Sequence, residues 1–212
     1  MKTEILPAQD PGTLARALAV LRVGGLVAFP TDTVYGVGAL AFDGAAVGSI
    51  YVAKNRSVEK AIPILIGDST DLAKVTLEVP QAAIRLAAHF WPGPLTLVVP
   101  KHPELPESVS ATTTVGVRVP DHAVAQGLLL AAGPMAVTSA NLSGQPSPST
   151  AEEVFGQLGV MIALIIDGGK TPGGVPSTVV DCSGRELHIL REGPISKDEI
   201  WALLGAGFSS GL

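Results

Sequence analysis

Three positively charged residues lie within seven positions of a chain that carries few charges. Lys54, Arg56 and Lys60 belong to a sequence of 212 residues in which 16% are charged. A lysine is a compact point charge, and an arginine presents a planar fork that fits two phosphate oxygens. The cluster therefore predicts a clamp for a polyphosphate. The alternative is a solvated helix end whose cations complement the helix dipole.

A second candidate is the polar loop at residues 139–149, which follows a predicted buried strand. Ser139, Asn141, Ser143 and Ser147 offer more hydrogen-bonding groups than one helix cap needs. Hydroxyls and backbone amides that precede a helix suit an anion. The loop therefore predicts an anion site, and the alternative is an ordinary entry to the helix that follows.

A third candidate is the stretch 30–36, which follows the apolar run Leu26–Phe29. It contains two threonines, an aspartate and a tyrosine before its glycine. Polar groups at the carboxyl end of a buried strand are how α/β proteins present a ligand site. We expect this stretch to hold a small polar substrate.

Two arginines, Arg118 and Arg191, stand at or near the ends of predicted strands. Either they converge on an anion or each forms a surface salt bridge. Asp167-Gly168-Gly169 and Ser177-Thr178 are further candidates, although two ordinary turns explain the glycines equally well. No metal ligands are predicted, because the four histidines (His89, His102, His122 and His188) lack metal-binding spacing and Cys182 is the only cysteine.

The composition excludes several classes of protein. The net charge is −5 and aromatic residues make up 4%, which argues against a general nucleic-acid binder and against base stacking as the main recognition device. The start lacks the apolar region of a signal peptide, and the most apolar stretch, residues 123–137, is too short and interrupted to span a bilayer. We expect a reduced, cytoplasmic protein without membrane contact.

Predicted strands and helices alternate without a long linker, which favours one α/β domain with a mixed sheet over residues 1–212. Its core is expected at about residues 10–195, with a short final helix at 197–204. Asp10 should cap a first helix that buries Leu14, Leu18 and Leu21. Pro63 suggests an edge or entry position in its strand, and Ser149 should open a capping box.

The ordered motifs resemble the YrdC family, the threonylcarbamoyl-AMP synthases, over about residues 10–195. The residues that carry the resemblance are Pro30-Thr31-Asp32-Thr33-Val34-Tyr35-Gly36, Lys54-Asn55-Arg56, Trp91-Pro92-Gly93-Pro94-Leu95-Thr96, Val117-Arg118-Val119-Pro120, Ser139-Ala140-Asn141-Leu142-Ser143-Gly144, Asp167-Gly168-Gly169, Ser177-Thr178-Val179-Val180 and Leu190-Arg191. The sequence departs from the pattern at Ser57 and Glu192, where many members have proline. The short chain after Arg191 resembles the single-domain form of the family.

The resemblance implies a YrdC-like twisted mixed sheet flanked by helices, with a deep concave cavity. It implies an L-threonylcarbamoyladenylate synthase, a nucleotidyltransferase that converts L-threonine, bicarbonate and ATP into threonylcarbamoyl-AMP and diphosphate, with Mg²⁺. The product would pass to the tRNA-threonylcarbamoyl transfer machinery for the t6A37 modification, with weak tRNA or RNA contact.

The resemblance also assigns residues to the two substrates. Those expected to bind ATP are Lys54, Arg56, Ser139, Asn141, Ser147 and Arg191, with Lys54 and Arg56 as the catalytic cations. Those expected on the threonine side are Thr31, Tyr35, Arg118 and Ser177. Lys54 and Arg56 are both expected in the cleft rather than in the core.

Two other functions are compatible with the same resemblance. One is a non-catalytic RNA-binding YrdC-like module, against which the negative net charge and the scarcity of aromatic residues count. The other is a different carbamoyl-transfer enzyme, of the kind in which a YrdC-like domain is joined to acylphosphatase-like and zinc-finger segments.

Overall fold

A ten-stranded sheet organises the residues that the computed structural model describes, which are 2–173 and 175–205. The strands are β1 (Glu4–Pro7), β2 (Val27–Phe29), β3 (Gly36–Leu40), β4 (Ile64–Leu65), β5 (Leu95–Pro100), β6 (Thr114–Arg118), β7 (Met135–Ser139), β8 (Leu164–Asp167), β9 (Thr178–Asp181) and β10 (His188–Arg191). The α-helices are α1 (Pro11–Arg22), α2 (Gly44–Lys54), α3 (Leu72–Val75), α4 (Gln81–Phe90), α5 (Ala123–Ala132), α6 (Ala151–Leu158) and α7 (Lys197–Leu204). Residues 206–212 of the expected domain lie outside the described residues.

The strand order is β1-β8-β2-β3-β7-β4-β6-β5-β9-β10. Parallel pairs join β1 to β8, β2 to β8, β4 to β6 and β5 to β9, and the remaining neighbours are antiparallel. The sheet is therefore mixed and flanked by helices, which confirms the predicted α/β class. Among the described residues, no helix combines the length and hydrophobicity needed to cross a bilayer.

Two hydrophobic clusters lie on opposite faces of the sheet. The larger one contains Val37 and Ile64 together with buried residues of α2, α4 and α6. The smaller one contains Leu65 and Val137 together with buried residues of α1 and α5. Successive strand residues point to opposite faces, which explains why neighbouring residues belong to different clusters.

The buried face of α1 differs from the predicted one. Asp10 caps the helix by accepting the Gly12 N–H at 2.7 Å, as predicted. Leu21 is buried and Leu18 packs partly buried against the smaller cluster, as predicted, but Leu14 is 40% exposed, and Thr13, Ala17 and Val20 complete the buried face. The helix lies against α5 and the sheet, so tertiary packing rather than the leucine spacing selects its inner face.

Two other predictions need correction. Pro63 directly precedes its strand, which confirms the predicted entry position, whereas the alternative of an edge position is wrong because β4 lies between β7 and β6. A proline has no N–H to donate, but the Pro63 carbonyl still accepts the Val137 N–H at 2.9 Å, so a proline is tolerated at the start of this interior strand. The cap of α6 is Thr150 rather than Ser149: its hydroxyl accepts the Glu153 N–H at 3.3 Å, one residue later than predicted.

Candidate functional site

A cavity of about 500 Å³ lies on the sheet face that also carries α1 and α5. Leu65 and Val137, which pack beneath these helices, also line it. The cavity's lining residues are Thr31, Thr33, Val34, Gly36, Arg56, Ala61, Pro63, Leu65, Thr96, Val98, Gly116, Arg118, Val137, Thr138, Ser139, Ser147, Pro176, Ser177, Val179 and Arg191. Eleven of these twenty residues lie in β3, β4, β5, β6, β7, β9 and β10, so strands distant in sequence build one concave surface.

The charged side chains that line the cavity are all positive. Arg56, Arg118 and Arg191 line the cavity, and no acidic residue is among its described lining residues. Burial lowers the pKa of Arg191, and the nearby charge of Arg118 lowers it further. Cations that converge and repel one another favour an anionic ligand, because the ligand relieves the repulsion. The lining also supplies seven hydroxyl side chains that can hydrogen-bond such a ligand.

The turn after β2 places two threonines on the cavity wall. The Thr31 hydroxyl accepts N–H groups from Thr33 and Val34 at 3.2 and 3.3 Å, and it lies 3.0 Å from the Thr33 hydroxyl. These bonds satisfy the N–H groups of two residues that lie between β2 and β3, outside the hydrogen bonding of the sheet. Both hydroxyls are buried at the wall, where a substrate could reach them.

Tyr35 lies behind the wall rather than on it. Its side chain is fully buried; the hydroxyl donates to the Gly169 carbonyl at 2.7 Å and accepts the Gly168 N–H at 3.3 Å. The Tyr35 N–H donates to the Pro148 carbonyl at 3.0 Å, and the Tyr35 carbonyl accepts the Ala140 N–H at 2.8 Å. Burial raises the pKa of Tyr35 to about 12, so the phenol stays protonated. Tyr35 thus joins the 30–36 stretch to the polar loop and to the loop after β8.

The three clustered cations occupy three different environments. Lys60 is exposed and does not line the cavity, Arg56 lines it, and Lys54 is 1% exposed. Asn55 ends α2 in the left-handed conformation with φ of 48°, and this reversal carries Arg56 to the cavity. Arg56 is steadied by the carbonyls of residues 60 and 61, at 3.3 and 3.1 Å. The expectation that Lys54 lies outside the core is wrong.

Lys54 is buried beneath the polar loop. Its ammonium donates to the backbone carbonyls of Ser139 and Asn141, and its own carbonyl accepts the Ser143 N–H at 2.9 Å. Burial, followed by the charge of Arg56, lowers the pKa of Lys54 to about 8. Lys54 therefore stabilises the conformation of the first half of the loop, because its hydrogen-bond partners Ser139, Asn141 and Ser143 follow one another along it.

This lysine predicts how stability depends on pH. The pKa falls from an ordinary value of 10.5 to about 8 on folding. Between those pH values the unfolded chain binds a proton that the folded chain has released, so stability rises with pH. We expect the melting temperature of the wild type, relative to that of Lys54→Met, to rise from pH 8 to pH 9.5 in scanning fluorimetry. A difference that stays constant or falls across this range contradicts the assignment.

The polar loop divides between the wall and the interior. Ser139 and Ser147 line the cavity, whereas Asn141 is 8% exposed and lies outside the lining. The Asn141 amide donates to the carbonyls of Leu142 and Gln145 at 2.8 and 2.9 Å. Its side-chain oxygen is buried without a partner among the described residues. The loop is therefore braced from within and presents two serines to a ligand.

The opposite wall is built by Ser177, Arg191 and Thr96. The Ser177 hydroxyl lies 2.8 Å from the Thr96 hydroxyl and accepts the Arg191 guanidinium at 3.2 Å. The guanidinium also donates to the Ser177 carbonyl at 3.0 Å. The sequence motifs pointed to Ser177 and Arg191, and the structure brings both to one cavity with Thr31, Arg56, Arg118, Ser139 and Ser147.

Three further threonines, Thr33, Thr96 and Thr138, line the cavity without a predicted role, although the first two belong to the motifs that carry the resemblance. Thr33 carried a usable signal, because it stands two residues after Thr31 in an irregular segment. Thr96 and Thr138 lie inside strands, where a threonine is an ordinary residue and pattern alone does not mark it. Among residues 2–173 and 175–205, no group of three His, Cys, Asp or Glu side chains could hold a metal ion.

Comparison with known proteins decides the family. The sequence model of the Sua5, YciO and YrdC family, described as "Telomere recombination", matches residues 19–193. The chain belongs to this family.

The chain spans little more than half the length of some relatives and nearly the full length of others. The chain is 44% identical over 206 residues to the threonylcarbamoyl-AMP synthase of Bacillus subtilis, covering 96% of itself and 59% of that protein. It is 40% identical over 213 residues to a Mycobacterium tuberculosis relative, covering 98% of both. The crystal structure of Pyrococcus abyssi Sua5 complexed with L-threonine superposes with a TM-score of 0.91 at 40% identity, over 96% of this chain and 61% of that one.

Proposed function

We propose that the chain is an L-threonylcarbamoyladenylate synthase, a nucleotidyltransferase that makes threonylcarbamoyl-AMP and diphosphate from L-threonine, bicarbonate and ATP. The observation that carries the proposal is the cavity with three arginines and no acidic residue among its described lining residues. A triphosphate, a carboxylate and a carbamate are all anions, and such a surface can gather them. The named activity of the Bacillus subtilis relative and the threonine bound by Pyrococcus abyssi Sua5 support it.

The residues proposed for each of the two substrates are drawn from both walls of the cavity. Arg56, Ser139 and Ser147 would hold the nucleotide, with Arg191 reaching it from the other wall. Asn141 and Lys54 would support this half through the polar loop. Those proposed on the threonine side are Thr31, Arg118 and Ser177 on the wall and Tyr35 behind it. Direct contacts of Lys54 and Asn141 with ATP stay predictions.

The chemistry needs positioning and charge rather than a covalent intermediate. Threonine and bicarbonate give a carbamate, with release of water and one proton. A carbamate oxygen attacks the α-phosphorus of ATP, the bond to the bridging oxygen breaks, and diphosphate leaves. Arginines fixed at the cavity wall would hold the reacting anions together and stabilise the charge that develops on phosphorus.

Mg²⁺ fits this proposal as part of the nucleotide substrate. Mg²⁺ usually keeps several waters and binds through substrate phosphates. The described lining contributes no carboxylate, so the ion would arrive on the triphosphate and neutralise part of its charge. The product would then pass to tRNA-threonylcarbamoyl transfer machinery in the cytoplasm for the t6A37 modification, with bicarbonate drawn from the same compartment.

The test is an assay of the purified protein with ATP, L-threonine, bicarbonate and Mg²⁺. We expect an AMP-linked product and diphosphate only when threonine and bicarbonate are both present, because the carbamate is the nucleophile. Mass spectrometry identifies the product, and a coupled assay quantifies the diphosphate. Equal ATP consumption without threonine would show a different activity.

A further inference from the structure

A buried ion pair lies at the cavity, and the substrate assignments use one partner, Arg118, but not the other, Asp32. The Asp32 carboxylate accepts a hydrogen bond from the Arg118 guanidinium. The two side chains are 13% and 8% exposed. A buried pair contributes little net stability when its desolvation is counted, so its presence beside a ligand cavity calls for another explanation.

Three segments of the chain hold Arg118 in place. Its Nε donates to the Gly93 carbonyl at 2.9 Å, and its other nitrogens donate to the Thr33 hydroxyl at 3.4 Å and to Asp32. A guanidinium has five N–H groups. Three are used, which leaves two for a ligand, and Arg118 lines the cavity. Two N–H groups are what a carboxylate needs for bidentate binding.

Asp32 itself does not line the cavity, and its second oxygen, Oδ2, is buried without a hydrogen-bond partner among the described residues. Arg118 is the single hydrogen-bond partner of its side chain among residues 2–173 and 175–205. A carboxylate whose hydrogen-bond partner is a cavity-lining arginine can influence a ligand through that arginine.

We propose that Asp32 is a positioning residue for the amino-acid substrate: it holds the Arg118 fork so that the two remaining N–H groups meet the substrate carboxylate. This rests on the proposed function, in which Arg118 binds the carboxylate of threonine. A long arginine side chain loses rotamer freedom on binding, and a partner that orders it beforehand removes that cost. Asp32 thereby makes the threonine half of the cavity dependent on a residue outside it.

The test is a double-mutant cycle with Asp32→Asn and Arg118→Lys, read as separate KM values for threonine and ATP. We expect Asp32→Asn to raise the KM for threonine about ten- to a hundredfold, the effect of losing one charge-assisted hydrogen bond. The KM for ATP should stay within about twofold, because the nucleotide half is held by other residues. Once Arg118 is lysine, adding Asp32→Asn should change the threonine KM little, since Asp32 acts through the guanidinium.

A matched control is Asp68→Asn, which removes the same charge from an exposed cap and should leave both KM values unchanged. If Asp32→Asn does not fold, Asp32→Glu keeps the charge but displaces it by one methylene, and the threonine KM should still rise several-fold. The inference is overturned if a folded Asp32 variant keeps the wild-type threonine KM, if both KM values rise together, or if the double mutant shows the two effects summed. A wild type without threonine-dependent product would instead remove the proposed function.

Discussion

Arg56→Met is expected to lower threonylcarbamoyl-AMP synthesis by about a hundred- to a thousandfold, the usual effect of removing one preorganised group that stabilises developing charge. Arg56 lines the cavity, and its hydrogen bonds to the described residues are to two backbone carbonyls at a partly exposed turn. The melting temperature should therefore change by no more than about two degrees. Initial rates at saturating substrates, together with scanning fluorimetry, measure both quantities.

A comparison with Lys54→Met separates a direct phosphate contact from an indirect one. If Arg56 binds the polyphosphate chain, the loss of affinity in Arg56→Met should grow from AMP to ADP to ATP. Lys54 is buried beneath the polar loop and bonds to its carbonyls. Its replacement should therefore weaken AMP, ADP and ATP by similar factors, because the loop as a whole loses its shape. Isothermal titration with the three nucleotides measures the trend.

Lys60→Met is the control for both variants. It removes the same charge, but Lys60 is exposed and does not line the cavity. Its nucleotide affinities should stay within about twofold of the wild type. A loss in Lys54→Met that grows with the number of phosphates would establish direct contact between this lysine and the polyphosphate. An Arg56→Met variant with wild-type affinity for ATP would remove Arg56 from the nucleotide site.

Gly193→Ala is expected to damage both stability and activity. A Cβ atom at this position would lie 2.4 Å from the Pro176 carbonyl oxygen and 2.5 Å from the Thr178 backbone nitrogen. A clash with backbone atoms cannot be relieved by rotating a side chain, so the backbone of residues 176–178 must be displaced. We expect a loss of about 1–3 kcal/mol in unfolding free energy, the usual cost of overpacking. Because the shift carries Ser177 away from Arg191, synthesis should also fall at least tenfold.

Gly184→Ala is the matched control in the turn between β9 and β10. Its added Cβ would meet no atom closer than 3.6 Å, and its backbone is not in the left-handed region. Its melting temperature and activity should therefore stay near those of the wild type. Denaturant titration and the product assay compare the two variants. Equal behaviour of both alanine variants would contradict the close approach of Gly193 to the 176–178 backbone.

Local signals in the sequence located most of the elements that carry the site. Asp10 caps its helix as predicted, because a cap depends on neighbours within three residues, and Ser196 caps α7 by the same local pattern. The antiparallel pairing of β9 and β10, which a short turn containing Gly184 joins, also depends on residues close together in the sequence. Strand β3, which runs between β2 and β7, was missed. Its Gly36 and Gly38 are typical of a turn, and only close packing against β7 makes them strand residues.

Residue type and order in the sequence by themselves determined the mixed α/β class, the YrdC resemblance and a set of polar residues that contains most of the cavity's candidates. The tertiary structure alone decided which of them share a surface. It placed Arg118 and Arg191 on one cavity, left Lys60 outside it, and buried Lys54 and Tyr35 behind its walls. The physical reason is that strand order and helix packing set the direction of each side chain, and those depend on contacts between residues far apart in the chain. Asp32 is the clearest case: its partner Arg118 is 86 positions away, so no local pattern in the sequence could have marked the pair.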